Sequence, residues 1–395
     1  MLDFDNLLQL ENAMQPVIDK IKSYDNVVLY GLGTELKGHI KHCIGWLGKP
    51  AFIVDKSAGG TVYNGIPVVS SLADICERIE GTFCVVITAP TYREEIFIEC
   101  KKYVPEDAIF KHLIPLSQNS PTYKNFVKVN KEMIESFYLS LSDDFSKITL
   151  KNYLSGKISN DLRYFIKICV PNKVMNPAQL HSTEINYPSL FDSEQTPYFP
   201  KDIFTLPKNV VFTDCGAFDG DTLTDFVNET NGEYATVICI ELNPSSYKDL
   251  TETAKKYQNV QCVHAGVWNE DTVTEIKSNA SANGSFSIDA SKSESANINS
   301  TCVPLKKLDT IFAEHGLVEN IYIYIKMDVE GAELMALKGA KHTIKAYKPK
   351  LAICVYHKDE DIIEIPTYLK SLRPDYSFYL RKYTINATEL VLFAI

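Results

Sequence analysis

The sequence contains no Cys-x-x-Cys, and most of its ten cysteines sit in apolar runs such as Phe83-Cys84-Val85 and Ile353-Cys354-Val355. That spacing sets aside a disulfide framework and a cysteine-built zinc site, and leaves buried, reduced thiols as the expectation. His39-x-x-His42-Cys43 offers ligand types at helical spacing, yet nothing nearby completes a four-coordinate set, so no metal is expected there. Positive charge is also scarce. With 40 Lys and Arg against 50 Asp and Glu, the net charge is −10 and the pI about 5.4, which argues against a general nucleic-acid or anionic-membrane surface. No apolar run approaches the roughly 20 residues that span a bilayer. Met1-Leu2-Asp3-Phe4-Asp5 has neither the basic nor the apolar part of a secretory signal, so a cytoplasmic chain without a membrane span is expected.

What is present is ample material for packed cores, 45% hydrophobic and 11% aromatic, in a chain of 395 residues long enough for two or three domains. The organising stretch is Asp214-Cys215-Gly216-Ala217-Phe218-Asp219-Gly220-Asp221-Thr222 after the apolar run Val210-Val211-Phe212. It reads as the first strand, tight turn and first helix of a doubly wound α/β domain. The Asp-x-Gly-x-x-x-Gly spacing departs from Gly-x-Gly-x-x-Gly, and the extra carboxylates Asp214, Asp219 and Asp221 would repel a pyrophosphate. They suit a ligand with a cationic end such as S-adenosylmethionine. The competing reading is that these acids merely complement a helix N-terminus. Thr236 to Ile240 forms a second strand ending at Glu241, 27 residues after Asp214, where a carboxylate can accept from both ribose hydroxyls of an adenosine cofactor.

Tyr322 to Ile325 is a further strand that runs into Lys326-Met327-Asp328-Val329-Glu330-Gly331-Ala332-Glu333 and then a helix. Together with the Asp214 turn, Glu241 and Pro349 to His357, this block resembles the FkbM family of S-adenosylmethionine-dependent methyltransferases over roughly residues 205–395. The resemblance implies a donor site of Asp214, Gly216, Phe218, Asp219, Gly220, Thr222 and Glu241, with His264 and Ala265 near the adenine although neither offers it a carboxylate. It also implies a class I methyltransferase sheet closed by an antiparallel β-hairpin, for which Tyr376–Tyr383 and Glu389–Ala394 are the candidates.

A second, N-terminal Rossmann-like unit is expected. After a leading helix over residues 5–24 come Asn26–Tyr30 as a strand, a Gly31-Leu32-Gly33-Thr34 turn, a helix from Glu35 to Leu47 and Ala51–Asp55 as a strand. Asn64–Val69 then reads as a short strand, Leu72–Ile79 as a helix and Phe83–Thr88 as a strand. Leu36 stands where a third dinucleotide glycine belongs, so a nucleotide or nucleotide-sugar site at Gly31, Gly33 and Asp55 competes with a retained scaffold or homodimer surface. The expected domains are 1–118, a helical and extended connecting region 119–204, and 205–395. In the connection, Val127–Leu141 and Asp161–Val170 read as helices. Six prolines between Pro171 and Pro207 favour extended chain, with Tyr187, Phe191, Tyr198 and Phe199 packing over the next domain or, as the alternative, lining the substrate cleft. Val260–Val267 is expected as a third strand of the last domain. Residues 278–300, where 12 of 23 are Ser or Asn, read as short strands, a lid or a surface meander.

Transfer to an alcohol needs an aligned acceptor and removal of its proton. His357 is the expected base, with Asp328 and Glu330 positioning substrate. N-cap roles for the two acids, and a Mg²⁺ site formed with His357, are the alternatives. The function expected is O-methylation of a sugar, glycan or natural-product hydroxyl, as in polysaccharide biosynthesis. An NAD(P)-dependent sugar-nucleotide oxidoreductase and a non-catalytic binding module are its rivals.

Overall fold

A computed structural model describes residues 1–89, 92–110, 120–169, 197–277, 300–315, 322–384 and 387–395. The chain folds into two compact units, one of Leu10–Ser120 with Lys157–Asp161, the other of Met1–Gln9, Pro121–Gly156 and Leu162–Ile395.

The first unit holds β1 (Asn26–Tyr30), β2 (Phe52–Val54), β3 (Val62–Tyr63), β4 (Ile66–Val69), β5 (Phe83–Ile87) and β6 (Ile109–Phe110), in the order β3-β4-β2-β1-β5-β6. All neighbours are parallel except the β3/β4 hairpin. β1 and β5 each bury four consecutive residues, as strands buried on both faces do. Asn64 and Gly65 both take positive φ, 48° and 72°, which splits the single strand expected over 64–69 into a hairpin. The leading helix is also split, into Phe4–Gln9 and Gln15–Lys22. Pro16 cannot continue a helix but suits the first turn of a new one, and Asn12 Oδ1 accepts from the Met14 amide at the break. The helix expected over Leu72–Ile79 is confined to Ala73–Cys76.

The second unit begins its sheet with β7 (Val211–Cys215), β8 (Thr236–Glu241) and β9 (Val260–His264). At Ala265 the chain leaves that sheet, so the expected strand 260–267 ends early. β10 (Gly266–Val267) joins β11 (Thr272–Lys277) and β12 (Ser300–Lys306) in a small sheet ordered β10-β12-β11. β13 (Ile323–Met327), β14 (Lys350–Cys354), β15 (Phe378–Lys382) and β16 (Leu390–Ala394) complete the main sheet in the order β15-β16-β14-β13-β7-β8-β9. β7, β8, β9, β13 and β14 are mutually parallel, while β16 runs antiparallel to both β14 and β15. Strand order reverses between β7 and β13, which opens a crevice at their carboxyl ends. Register sets Asp214 beside Lys326 across that switch point.

Phe212 and Phe226 stack at 4.4 Å beneath the sheet, and Phe199 meets both of them and Tyr324. Helices Ser120–Val129 and Lys131–Ser140 replace the single one expected over 127–141. Asn130, whose amide side chain donates to the Phe126 carbonyl, interrupts them. Helix Asp144–Ser159 was not anticipated, and Leu162–Ile166 is shorter than the helix expected over 161–170. The closing hairpin is fastened to this region by Arg381. Its buried guanidinium bonds Asp143 at 2.7 Å and Asp202 at 2.6 Å, and Ser146 at 3.0 Å. The stretch expected as a lid (278–299), with Tyr187 and Phe191, lies outside the described residues.

Candidate active site

Gly216 opens the turn after β7 at φ +79°, where any Cβ would collide with the Asp328 carbonyl. This position therefore requires glycine for two reasons, its backbone conformation and the close approach of the β13 terminus. The turn amides are already engaged. Gly216 and Ala217 donate to the Ile240 carbonyl at 3.0 and 3.1 Å, Phe218 to Glu241 Oε2 at 2.9 Å, and Gly220 to the Ala217 carbonyl at 2.9 Å. No row of free N–H groups is left at these four residues to cradle a pyrophosphate. Glu241 is nearly buried, and its other oxygen accepts from the Asn243 amide at 2.6 Å. Burial pushes its carboxyl above the ordinary value, although lone pairs remain for further donors.

A cavity of about 420 Å³ lies at this crevice, within the usual range for a small-molecule site. Gly216, Phe218, Thr222, Glu241 and Ala265 line one side, with Leu242 and Val267, and Asp328 and Glu330 line the other. Of the residues expected to touch the donor, Asp214, Asp219, Gly220 and His264 are not in that lining. Asp214 is wholly buried, with Lys326 Nζ 3.0 Å from Oδ1. The same ammonium donates to the Gly216 carbonyl at 2.7 Å. Burial raises the Asp214 carboxyl to about 6 against the pull of Lys326. Burial also works against the ammonium, but Asp214 and Asp328 outweigh it and hold Lys326 more firmly protonated than usual, so both are charged at neutral pH. His264 stacks on Tyr247 at 4.6 Å and contacts the Leu242 carbonyl at 3.2 Å, which braces the turn behind the cavity.

Of two further lining residues, Tyr198 is one of the aromatics read as packing or cleft-lining, whereas Glu389 escaped the sequence reading in its role. Tyr198 is buried, as its expected packing implies, but it also faces the cavity, and Glu389 reaches it from the closing hairpin. Tyr198 Oη lies 3.0 Å from Asp328 Oδ2 and 3.3 Å from Glu389 Oε2. Tyr356 Oη lies 3.3 Å from Asp328 Oδ1 and 3.3 Å from Glu389 Oε1, which closes a ring of two carboxylates and two phenols. Backbone strain marks the same residues. Among the described residues nine non-glycines have positive φ, and four of them are Asn, which tolerates it. Of the other five, Tyr198, Phe218, Glu330 and Glu389 all line this cavity, and only Lys348, at a helix end, does not. Strain of this kind costs roughly 1–3 kcal/mol per residue and persists where the surroundings enforce it.

His357 lies behind that wall rather than in the cavity lining. Nδ1 is 2.8 Å from Glu333 Oε1, and Nε2 is 3.5 Å from both Asp328 Oδ1 and Glu330 Oε2. Glu333 is fully buried and also accepts from the Val329 amide at 3.0 Å, so it fixes both the loop and the ring. Burial disfavours the imidazolium, but Glu333, Asp328 and Glu330 outweigh it and take His357 up to about 9. Asp328, Glu333 and His357 bring one possible ligand atom each within 4.8 Å of one another. The imidazolium already supplies the cation this group requires. EDTA is accordingly expected to leave donor affinity and turnover unchanged. A loss restored by Mn²⁺ or Mg²⁺ in the same assay would overturn that expectation.

In the first unit Asp55 is committed to its own loop. Oδ2 accepts from the Leu32 amide at 2.8 Å, and Oδ1 from the Ser57 amide and hydroxyl and the Ala58 amide. Gly31 makes room for Ala89, whose Cβ would stand 2.6 Å from an added one, while Gly33 faces open space. Side chains of His39 and His42 lie outside the described residues.

This main sheet, with its glycine turn and acidic second-strand tip, defines an S-adenosylmethionine-dependent methyltransferase. More particularly, residues 214–377 match the Methyltransferase FkbM domain, which makes this segment a methyltransferase domain of that type. No curated protein matches the chain. Among solved structures, an FkbM methyltransferase from Methylobacillus flagellatus KT is similar over 99% of this chain and 95% of its own, with 20% identity and a TM-score of 0.66. An rRNA methylase from Streptococcus thermophilus overlaps 48% of this chain and 87% of its own at 14% identity and a TM-score of 0.29. Aeropyrum pernix fibrillarin, in complex with S-adenosyl-L-methionine, overlaps 49% and 71% at 9% identity and a TM-score of 0.29. Only the full-length likeness bears on the fold, and it extends to both units. No helix among the described residues is long and apolar enough to cross a membrane.

Proposed function

We propose that the protein methylates a hydroxyl group of a sugar, glycan or natural-product acceptor. The observation that carries this reading is the two-sided cavity, with Gly216, Phe218, Thr222 and Glu241 on one side and Asp328, Glu389 and Tyr198, closed into a ring by Tyr356, on the other. The turn fits S-adenosylmethionine better than a phosphate-bearing cofactor, because the amides of Gly216, Ala217, Phe218 and Gly220 are spent and its side chains are acidic. Gly216, Phe218 and Thr222 would hold the donor, Glu241 its ribose, and Leu242, Ala265 and Val267 its adenine. Bound there, the donor supplies a methyl group already activated by a sulfonium.

The chain's own residues then have three tasks. Lys326 fixes the Gly216 carbonyl and hence the turn. The ring of carboxylates and phenols offers an acceptor several hydrogen-bonding oxygens and no free cation, which suits a neutral polyhydroxyl compound. His357, oriented through Glu333, takes the acceptor's proton by way of the cavity-lining Asp328 or Glu330, each 3.5 Å from Nε2, once it is itself neutral. A nucleotide sugar at Gly31, Gly33 and Asp55 is disfavoured by the four contacts that already occupy Asp55, so we read the first unit as a scaffold.

Calorimetric titration with S-adenosylhomocysteine, with NAD and UDP-sugars in parallel, tests the donor site. One site is expected, weakened about 10–100-fold in Glu241→Ala through loss of charge-assisted hydrogen bonds, with no heat from the other ligands. Absence of binding by well-folded protein would remove the methyl-donor reading.

A further inference from the structure

The residues facing the Gly216 turn across the cavity include two that lie outside the matched segment 214–377, Tyr198 before it and Glu389 after it. Each takes a positive φ, 76° and 55°, and each is held at both ends. The Tyr198 carbonyl accepts from Tyr324 Oη while its own hydroxyl meets Asp328 and Glu389. Glu389 is fixed through both carboxylate oxygens, and the Glu389 carbonyl accepts from the Tyr383 amide at 3.1 Å.

Charge counting shows what this wall lacks. Two phenols have two protons to offer, whereas the ring contains four oxygen–oxygen contacts between them and the carboxylates. The nearby cations have other first partners: Lys326, which lines the cavity and attracts both Asp328 and Glu389, is paired with Asp214, His357 with Glu333, and Lys382, which also attracts Glu389, donates to the Thr388 carbonyl. Asp328 and Glu389 therefore stand against each other with neither an ammonium nor a guanidinium bonded to either among the described residues, beyond the longer 3.5 Å approach of His357 to Asp328. Burial and the neighbouring Asp328 push the Glu389 carboxyl up, outweighing the Tyr356 hydrogen bond and the more distant Lys326 and Lys382. Two carboxylates in a partly desolvated site repel, and a cation placed beside them relieves the repulsion.

We propose that Glu389 and Tyr198, with Asp328 and Tyr356, form an anionic wall that selects the cationic methyl donor over its neutral demethylated product. This inference rests on reading the cavity as the methyl-donor site. Methyl transfer removes one positive charge from the donor's sulfur, so affinity falls when the reaction is complete and the product is released. Glu389 is the specificity-determining residue here, Tyr198 the positioning residue that holds its carboxylate toward the cavity.

The test is calorimetric titration of the full chain with S-adenosylmethionine, S-adenosylhomocysteine and sinefungin, which carries an amine cation near the sulfonium position. Wild type is expected to bind both cationic ligands at least about tenfold more tightly than S-adenosylhomocysteine. In Glu389→Gln that ratio should fall to within about threefold through weaker cation binding, with S-adenosylhomocysteine affinity unchanged. Tyr198→Phe, which removes one hydroxyl and keeps the ring packing, should narrow the ratio in the same direction and guards against a folding defect in the first variant. Equal affinity of wild type for all three ligands would overturn the inference and leave the donor site standing, as would equal weakening of all three by Glu389→Gln. Absence of binding by any of the three would defeat the donor-site reading and the inference together.

Discussion

His357→Ala is expected to lower kcat by about 10²–10⁴, the range for loss of a positioned general base, while S-adenosylhomocysteine affinity stays within about threefold of wild type. The separation follows from placement, because His357 stands behind Asp328 and Glu330 and is not in the lining that would touch the donor. Its pH dependence is equally specific. With the carboxylates of Glu333, Asp328 and Glu330 holding it up to about 9, the free protein carries an imidazolium at neutral pH, which cannot accept a proton. The rate at limiting donor should therefore rise with pH through the neutral range and level off near 9. Because a cationic donor beside Asp328 disfavours the imidazolium, the profile of kcat should level off at lower pH. The linked stability runs the other way. A folded value of about 9 against an ordinary 6.5 means that the contribution is complete below pH 6.5 and is lost as pH rises toward 9. A pH-independent rate in wild type, or a His357→Ala enzyme within threefold of it, would show that another group takes the proton.

Lys326→Met is expected to cost about 3–5 kcal/mol of folding stability in urea unfolding, the usual penalty for leaving one partner of a buried ion pair unmatched. Asp214 is wholly buried and receives no hydrogen bond from the described residues, so without the ammonium 3.0 Å away its charge has no compensation. Without Lys326 the Asp214 carboxyl rises further and takes up a proton, so the cost should shrink as pH falls toward about 6, where the wild-type carboxyl protonates as well. Donor affinity should drop as well, because the same ammonium holds the Gly216 carbonyl at 2.7 Å. The double variant Asp214→Asn, Lys326→Met should lose less than the sum of the single variants, since it removes both charges together. A loss below about 1 kcal/mol in Lys326→Met would mean that the pair is solvated rather than buried.

The main sheet was legible in the sequence because its evidence is local. Continuous apolar runs such as Val237–Ile240 and Ile323–Ile325 mark strands covered on both faces, and Gly216 and Glu241 fall where strands end. The antiparallel hairpin at the end was legible for the same reason. Interruptions of helices were less so, since Pro16 and Asn130 act on one turn within an otherwise apolar periodicity. The site was legible in part. Asp328, Glu330 and His357 were chosen as residues at strand ends, and the fold brings all three together, whereas Asp214 was read as a ligand contact and is buried against Lys326. Only register decides that, because the side of the sheet on which a strand-end carboxylate emerges depends on its neighbour. Tyr198 was marked only as an aromatic in a proline-rich connection, to pack or to line the cleft, and Glu389, in a turn, carried no local signal. They reach Asp328 across 130 residues of sequence, and across 61, only through the packing of the second unit. The sequence by itself determined strands, turns and the chemistry of the donor loop, since these depend on neighbours a few residues away. The tertiary structure alone decided which charges are paired, which are strained and which face the cavity, since burial and partner distance are properties of the folded chain.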